Sequence, residues 1–433
     1  MAFWIGLDDT DSRKAGCTTY VAAVAMRRLE ALGARIVGYP RLIRLNPSCP
    51  YKTRGNAAIA FKVEGIELER AEELMRSVVE ELSELDEGAE TGIVFLEGEP
   101  DERLRSFYWR AVRELVPLDD GFKVAEEAEA KLIYYGNGRG IIGALAAIGA
   151  DLSLGKTYEL IAHRRREYWG TVRRIDPVSV LELDEATRPY TFDNIDPESG
   201  EIRITPHTPC PVLFGIRGVD PEILEKALKI IRVYEPIEFV TIFETNQATD
   251  AHYQRLGIRD LRDGVCAVVE GVVTMQPRAN VGGHVFFKLG DGDGEIWCAA
   301  YEPTKSFRKL ILQLIPGDEV VAYGAVKQKP QGLTLNLEKI YIRRLAEKIV
   351  ERPPKCPECG KRMTSMGGSK GFKCRKCGVK LPEEYKEISR VPRAIKPGFY
   401  EVPPSARRHL ARPLMLDELL RDNEHRQGAS NLI

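Results

Sequence analysis

The sequence predicts a multidomain α+β protein: two mixed α/β (ferredoxin-like) N-terminal units, an OB-fold β-barrel and a zinc ribbon. Three patterns carry this. Residues 3–115 run strand and helix periods in the order βαββαβ, that of a split βαβ unit. Residues 263–345 alternate with period two and are broken by "NVGG", "GDGDG", "IPGD" and "PQG". Residues 356–377 carry CxxC twice.

The first unit, residues 1–118, opens on a short buried strand at 3–7. A helix follows over 17–33, with Val21, Val24, Ala25 and Leu29 at helical spacing. Strands at 35–45 and 57–63, a helix at 67–84, a strand at 91–96 and a helix at 101–115 complete it. The second unit, 119–255, reads as a strand at 131–135, the loop "GNGRG" and a small-residue helix at 140–149. Strands at 156–162, 169–176 and 211–216, a helix at 221–231 and a strand at 236–244 follow. The third, 260–348, has five strands with a helix near 303–314 between the third and fourth, the OB-fold plan. The cysteine module spans 353–380, and 381–433 is a polar, basic, proline-rich tail expected to be partly ordered, with one amphipathic piece at 414–421.

A chain of 433 residues, 43% hydrophobic and 29% charged, has apolar material for several cores. No run approaches the roughly 20 apolar residues that cross a bilayer, and "MAFWIGLDDTD" turns acidic at once, unlike a leader peptide. A cytoplasmic protein without membrane contact is expected. The net charge of −1 argues against a uniformly basic nucleic-acid binder, so local basic stretches are the relevant test. "HRRREYWGTVRR" (163–174) and "PPSARRHLARP" (403–413) qualify, although a solvated face is the simpler reading of each.

Cys356, Cys359, Cys374 and Cys377 are spaced CxxC–x14–CxxC. Two intervening residues let both thiolates of a pair reach one tetrahedral Zn²⁺, and Gly360 and Gly378 let the backbone turn back toward it. Four ligands with no open position make a structural site. In the barrel, Phe286, Phe287, Trp297, Tyr301, Phe307 and Tyr323 offer stacking surfaces, and period two sends about half of them inward as core.

"GLDDTDSRKAGCTTY" (6–20) crowds Asp8, Asp9 and Asp11 just ahead of a helix start. Mg²⁺ prefers one or two carboxylates plus phosphate oxygens, and a helix N-terminus is a seat for phosphate, so Mg²⁺-bound polyphosphate between Asp8, Asp9 and the Gly16–Thr19 turn accounts for the stretch. The alternative is that Asp11 and Ser12 merely cap or turn the chain. "NPSCPYKTRGNAA" (46–58) adds Lys52, Arg54 and Asn56 as phosphate or base ligands. "GNGRGIIGALAAIGA" (136–150) adds Gly138 and Arg139; its glycines admit either an anion or a close helix contact.

These three stretches, with "TPHTPCPVLFGIRG" (205–218), "FETNQATDAH" (243–252) and the "PPSARRHLARPL" tail, resemble the archaeal tRNA(Ile) agmatidine synthetase family, TiaS, along nearly the full chain. The resemblance implies a kinase-like ATP- and Mg²⁺-binding domain at 1–118, a ferredoxin-like agmatine-binding domain at 119–255, then the OB-fold and the zinc ribbon. It implies an ATP-dependent ligase that attaches agmatine to C2 of the wobble cytidine of the AUA-decoding tRNA(Ile), whose anticodon is CAU. By motif position the catalytic metal-holding acids are Asp8, Asp9 and Asp11, and Thr18 is the threonine that becomes phosphorylated. One departure is Ala248, where the family often has glycine.

Cytosine's C2 oxygen leaves readily only as a phosphate ester, so the chemistry implied is phosphoryl transfer, to which Gly16, Thr19, Lys52, Arg54, Asn56, Gly138 and Arg139 bring phosphate contacts. Agmatine's guanidinium has five donors and no acceptor and demands carboxylates and carbonyls. Among Asp193, Asp196, Glu244 and Asp250, the expectation falls on Glu244 and Asp250 with Asn246 between them. The other reading is a non-catalytic OB-fold and zinc-ribbon RNA- or ssDNA-binding protein, which leaves the first 250 residues without a role.

Overall fold

The computed structural model describes residues 2–153 and 155–419. Strand β1 (Ala2–Asp8) lies between β3 (Ala57–Glu64) and β4 (Gly92–Glu97), antiparallel to both. β2 (Arg35–Arg44) flanks β3, and β5 (Lys131–Tyr134) flanks β4. Successive β1 side chains serve opposite faces. Phe3, Ile5 and Leu7 pack under helices α1 (Thr18–Ala31) and α2 (Leu68–Leu82). Trp4 faces α3 (Glu102–Arg113), α4 (Leu118–Glu127) and α5 (Gly140–Ile148).

The sheet does not stop there. β6 (Thr157–Arg164), β8 (Val212–Gly218) and β9 (Ile237–Thr245), with the short β7 (Thr191–Phe192), continue it in the order β5-β4-β1-β3-β2-β9-β6-β8-β7. The seam is a short parallel pairing of β2 with β9, Arg41 opposite Glu244 and Leu42 opposite Thr245. Two units expected as separate sheets therefore share one. The residues at 131–148, assigned from sequence to the second unit, pair and pack with the first: β5 hydrogen-bonds β4, and α5 lies on β1, β3 and β4. Helices α6 (Pro177–Thr187) and α7 (Pro221–Ile230) cover the far half. Each starts at an Asp-Pro step whose aspartate accepts a backbone N–H two residues on, Val178 for Asp176 and Glu222 for Asp220.

The strand expected over 169–176 is absent. Residues 166–168 form a 3₁₀ turn and only Ile175 bridges to Val233. The reason is charge. Arg164 is fully buried and donates to both Glu235 oxygens, 2.7 Å from Nε and 2.6 Å from Nη2, and also to the Thr171 carbonyl. Arg173 donates to the carbonyls of Pro206, Thr208, Cys210 and Val212. Arg164 and Arg173 of the basic stretch 163–174 thus tie loops together, while Arg165, Arg166 and Arg174 are exposed and form the solvated face expected of it. Replacing Arg164 by Met should cost about 3–5 kcal/mol, because Glu235 is left buried and unpaired; the double change with Glu235→Gln should recover most of it, measured by chemical denaturation.

The barrel closes as expected. β11 (Cys266–Ala279), β12 (Val285–Gly290), β13 (Glu295–Ala300), β15 (Gly332–Arg344) and β14 (Glu319–Lys329) pair in that order, and β14 returns to β11. β10 (Tyr253–Arg255) extends β11 in parallel. Helix α8 (Ser306–Ile311) sits between β13 and β14, shorter than anticipated. Phe287 and Phe307 are core, while Phe286, Trp297, Tyr301 and Tyr323 are half-buried. β16 (Lys348–Arg352) and β20 (Glu387–Val391) form a two-stranded stalk. It carries the cysteine module, whose strands β17 (Thr364–Ser365), β18 (Phe372–Lys373) and β19 (Lys380–Leu381) are two residues each.

The tail is more ordered than its composition suggests. β21 (Gly398–Glu401) pairs with β15, and residues 402–419 run back across the N-terminal sheet. There the backbone N–H groups of Ala248 and Asp250 donate to His409 and Leu410, and Leu410 and Leu416 are buried. Of the amphipathic piece expected at 414–421, residues 414–419 are helical and the last two lie outside the described residues. No described helix is long and apolar enough to cross a membrane.

Candidate active site

A cavity of about 470 Å³ opens between the two halves of the long sheet, a size suited to a small-molecule ligand. The acidic loop, the 46–58 loop, the starts of α1 and α5, the 203–212 segment and His409 line it.

The loop after β1 is held in an unusual shape. Asp9 takes φ 58°, a left-handed conformation costly for a residue with a Cβ. Its N–H donates to Asp8 Oδ1 at 2.7 Å, its carbonyl accepts from Thr91 Oγ1 at 2.6 Å, and its Oδ2 accepts from the Glu90 N–H at 3.3 Å. Burial, with Asp9 and Asp11 alongside, raises the Asp8 pKa well above the carboxylate range. Burial likewise lifts Asp9 to about 6. Asp11 is raised less freely, because Arg54 donates to its Oδ2 at 2.8 Å from Nε. Arg54 also donates to the carbonyl oxygens of Gly16, at 2.6 Å, and Ala15, at 3.2 Å, and so locks the acidic loop onto the start of α1.

Thr18 and Thr19 follow at that helix start. Thr10 Oγ1 donates to Thr18 Oγ1 at 3.2 Å. Thr19 Oγ1 lies 3.2 Å from His163 Nε2 and 3.0 Å from Cys17 Sγ. Burial pushes His163 down to about 3, which keeps this imidazole neutral. Gly16 is not a cavity residue; its φ of 81° makes the turn, and a Cβ there would meet Asp11 Cα at 3.0 Å.

The glycines of "GNGRGIIG" resolve as a packing contact. A Cβ on Gly140 would lie 2.4 Å from Gly92 N and 2.6 Å from Asp8 O, and one on Gly143 would lie 1.9 Å from Asp8 Oδ2. A Cβ on Gly6 or Gly92 would strike α5 in return, at 2.5 Å from Ala144 O and 2.2 Å from Ile141 N. Helix and sheet touch backbone to backbone, which places the start of α5 against the acidic loop. Gly138 lies off the cavity, against Tyr134, whereas Arg139 reaches in and stacks over Tyr51 at 3.9 Å. Lys52 and Asn56 line the wall, donating to the carbonyls of Pro47 and of Asn46 (2.8 Å) respectively.

Glu244, Asn246 and Asp250, expected to hold agmatine, stand outside the cavity and are engaged elsewhere. Glu244 pairs with Lys156. Asn246 clamps the β2–β9 seam, accepting from the Arg44 N–H at 2.8 Å and donating to its carbonyl at 2.9 Å. Asp250 joins the barrel and the strap through Lys339 Nζ at 2.9 Å and the Arg412 N–H at 2.7 Å. Asp193 and Asp196 pair with Arg407 and Lys305. The carboxylate that does enter from the second half is Glu159 on β6. It and the wall residues Arg44, Arg203, Arg217 and His409 were passed over in the sequence. Glu159 stands out there as an acid inside the apolar run 158–162, and Arg217 and His409 lie within the stretches 205–218 and 403–413 without being distinguished in them.

In the ribbon, one thiol sulfur from each of Cys356, Cys359, Cys374 and Cys377 lies within 4.8 Å of the other three, the gathering a tetrahedral Zn²⁺ requires. Gly360 and Gly378 have φ of 68° and 76° and return their N–H groups to the Cys356 and Cys374 carbonyls.

Comparison with known proteins places these features in one lineage. Models of the TiaS TCKD domain, the TiaS FLD domain and the TiaS C-terminal zinc ribbon domain match residues 4–68, 138–252 and 353–395, and an OB-fold nucleic acid binding domain model matches 265–343. The tRNA(Ile) 2-agmatinylcytidine synthetase TiaS of Methanocaldococcus jannaschii is 44% identical over 426 residues, 96% of this chain and 99% of that protein. That of Pyrococcus horikoshii is 45% identical over 421 residues, 96% and 97% of the two chains. Among solved structures, a complex of TiaS with tRNA(Ile) and ATP superposes with a TM-score of 0.88 at 42% identity, and a complex of TiaS with tRNA(Ile), AMPCPP and agmatine with 0.86 at 40%; each covers 96% of this chain and 97% of its own. The chain belongs to the TiaS family of tRNA(Ile) 2-agmatinylcytidine synthetases.

Proposed function

We propose that this cavity is where ATP, agmatine and the target cytidine meet. The chain is an ATP-dependent ligase that joins agmatine to tRNA(Ile). The observation that carries the placement is convergence: the acidic loop, Arg54, Arg139 and two helix starts face one cavity, although they come from three separate sequence stretches.

We assign the acidic end to the ATP phosphates. Asp8 and Asp9 present hard carboxylate oxygens that are buried and mutually repelling, a donor set that fits Mg²⁺ shared with phosphate oxygens. Mg²⁺ there would neutralise the charge of the transferring phosphoryl group. Arg54 holds Asp11 and the turn into α1, and Arg139 brings a guanidinium from the start of α5 toward the phosphates. Thr18, whose oxygen accepts from Thr10 and so keeps its own proton to give, is the hydroxyl we assign to phosphorylation.

The reaction we infer has two parts. The C2 oxygen of the wobble cytosine takes a phosphoryl group from ATP, and the agmatine amine then attacks C2, releasing phosphate with that oxygen. An anticodon base is already unpaired, so turning it into the cavity costs little. The barrel and zinc ribbon would hold the remainder of the tRNA. These substrates are cytoplasmic, and we place the enzyme with them.

Mass analysis of tRNA nucleosides after incubation with ATP and labelled agmatine tests this. The wobble cytidine should gain the mass of agmatine less one water. ATP hydrolysis with unmodified cytidine would overturn the assignment.

A further inference from the structure

The cavity is electrically divided. Away from the acidic loop its wall carries Arg44, Lys52, Arg203, Arg217 and His409. Their carboxylate contacts are sparse and long. Arg44 and Arg217 share Glu159 at 3.4 and 3.5 Å, and Arg217 reaches Asp193, itself held by Arg407, only at 4.0 Å. The Nε–H groups of both arginines are buried and make no hydrogen bond. Lys52 has a carbonyl and no carboxylate partner among the described residues. Only Arg203 has a close acid, Glu201 at 2.8 Å.

His409 completes the group from the C-terminal strap, fixed by its carbonyl to the Ala248 N–H. Its ring makes no hydrogen bond among the described residues. Burial first, then the positive charges of Arg44, Arg217, Lys52 and Arg203, drive its pKa far down, so it presents a neutral N–H donor. Gly55 lets the loop close on it: a Cβ there would lie 2.6 Å from Arg44 Nη1 and 3.6 Å from the His409 ring.

We propose that these five side chains form a subsite for a phosphodiester of the substrate RNA, beside the reacting base and apart from the ATP phosphates at the acidic end. The proposal rests on the functional reading above. Phosphate could come from either ligand, and the surroundings favour RNA. The positive charge continues from Lys52 to Lys327, which donates to the Ser48 carbonyl at 3.0 Å, whereas Arg408, which donates to Ser48 Oγ at 3.4 Å, is paired with Glu338 at 2.9 Å. Lys327 belongs to β14 of the barrel, so the track leads from the cavity to the nucleic-acid-binding module. Agmatine, a dication, is repelled here.

The test compares full-length wild type, Arg203→Gln, His409→Phe and His409→Gln, measuring tRNA(Ile) affinity against salt concentration and ATP affinity separately. Arg203→Gln should weaken tRNA binding about 5–10-fold and flatten the slope of log K against log salt by about 0.7, the counterion share of one contact on single-stranded RNA. His409→Phe should weaken binding with the slope unchanged, since the residue carries no charge, and His409→Gln should restore it. ATP affinity should stay within about 2-fold throughout. Loss of ATP affinity with tRNA binding intact would give the subsite to nucleotide. Unchanged affinity and slope, in a preparation whose wild type conjugates agmatine, would overturn the subsite alone. A wild type that binds no tRNA overturns the functional reading with it.

Discussion

Asp8→Asn should abolish agmatine-dependent ATP turnover, lowering kcat by about 10³-fold or more, a loss comparable to removing a principal charge-stabilising group in other phosphoryl transfers. The fold should survive. Asn has the same shape and its oxygen still accepts the Asp9 N–H now donating at 2.7 Å. It also removes a charge that burial and two neighbouring aspartates oppose. Binding of tRNA should stay within about 2-fold, because the barrel, ribbon and basic wall are untouched. Steady-state turnover with tRNA, ATP and agmatine, run beside a tRNA binding isotherm, checks both halves of the expectation.

Gly143→Ala should be nearly as damaging by a different route. The added methyl would sit 1.9 Å from Asp8 Oδ2 and 3.1 Å from the Ala58 Cβ, and the first of these is closer than any real pair of non-bonded atoms. Neither neighbour can give way freely, since Asp8 ends a central strand and Ala58 is fully buried in β3. Either α5 lifts from the sheet or the Asp8 carboxylate swings out. Overpacking of this kind costs about 1–3 kcal/mol, and a displacement of the acid by about 1 Å costs roughly 100-fold in rate. Thermal melting and kcat measured together should both fall. A fall in melting temperature with kcat unchanged would show that α5 does not position Asp8.

The contrast between those residues shows what the sequence could reveal. The acidic loop was visible because three carboxylates in four positions are electrostatically improbable without a partner. The ribbon was visible because CxxC spacing has a direct geometric meaning, and the barrel because period two and turn residues agree along its whole length. The role of "GNGRGIIG" was ambiguous: glycines that admit an anion and glycines that admit a backbone are the same letters, and only the approach of Gly140 and Gly143 to Gly92 and Asp8 decides it.

The single nine-stranded sheet was illegible for a related reason. Its seam is a short parallel pairing held largely by the Asn246 amide, and nothing local distinguishes an amide that extends a strand from one that binds substrate. The same limit hid the ion pairs of Glu244 and Asp250, whose partners lie 88 and 89 positions away. His409 was hidden because a proline-rich basic tail reads as partly ordered, while its anchoring depends on Ala248 and Asp250, two residues that both take left-handed φ. The Ala248 φ of 54° is a backbone conformation that glycine adopts more readily than alanine.

The acidic loop is proposed to hold a divalent cation together with the ATP phosphates. Manganese resonance on the full-length chain with a non-hydrolysable ATP analogue tests it most directly. Wild type should bind one Mn²⁺ tightly with nucleotide present, and Asp8→Asn should bind the nucleotide complex about 10–100-fold more weakly, the usual cost of disturbing a metal's ligand shell. Equal Mn²⁺–nucleotide affinity in the two proteins would contradict the account.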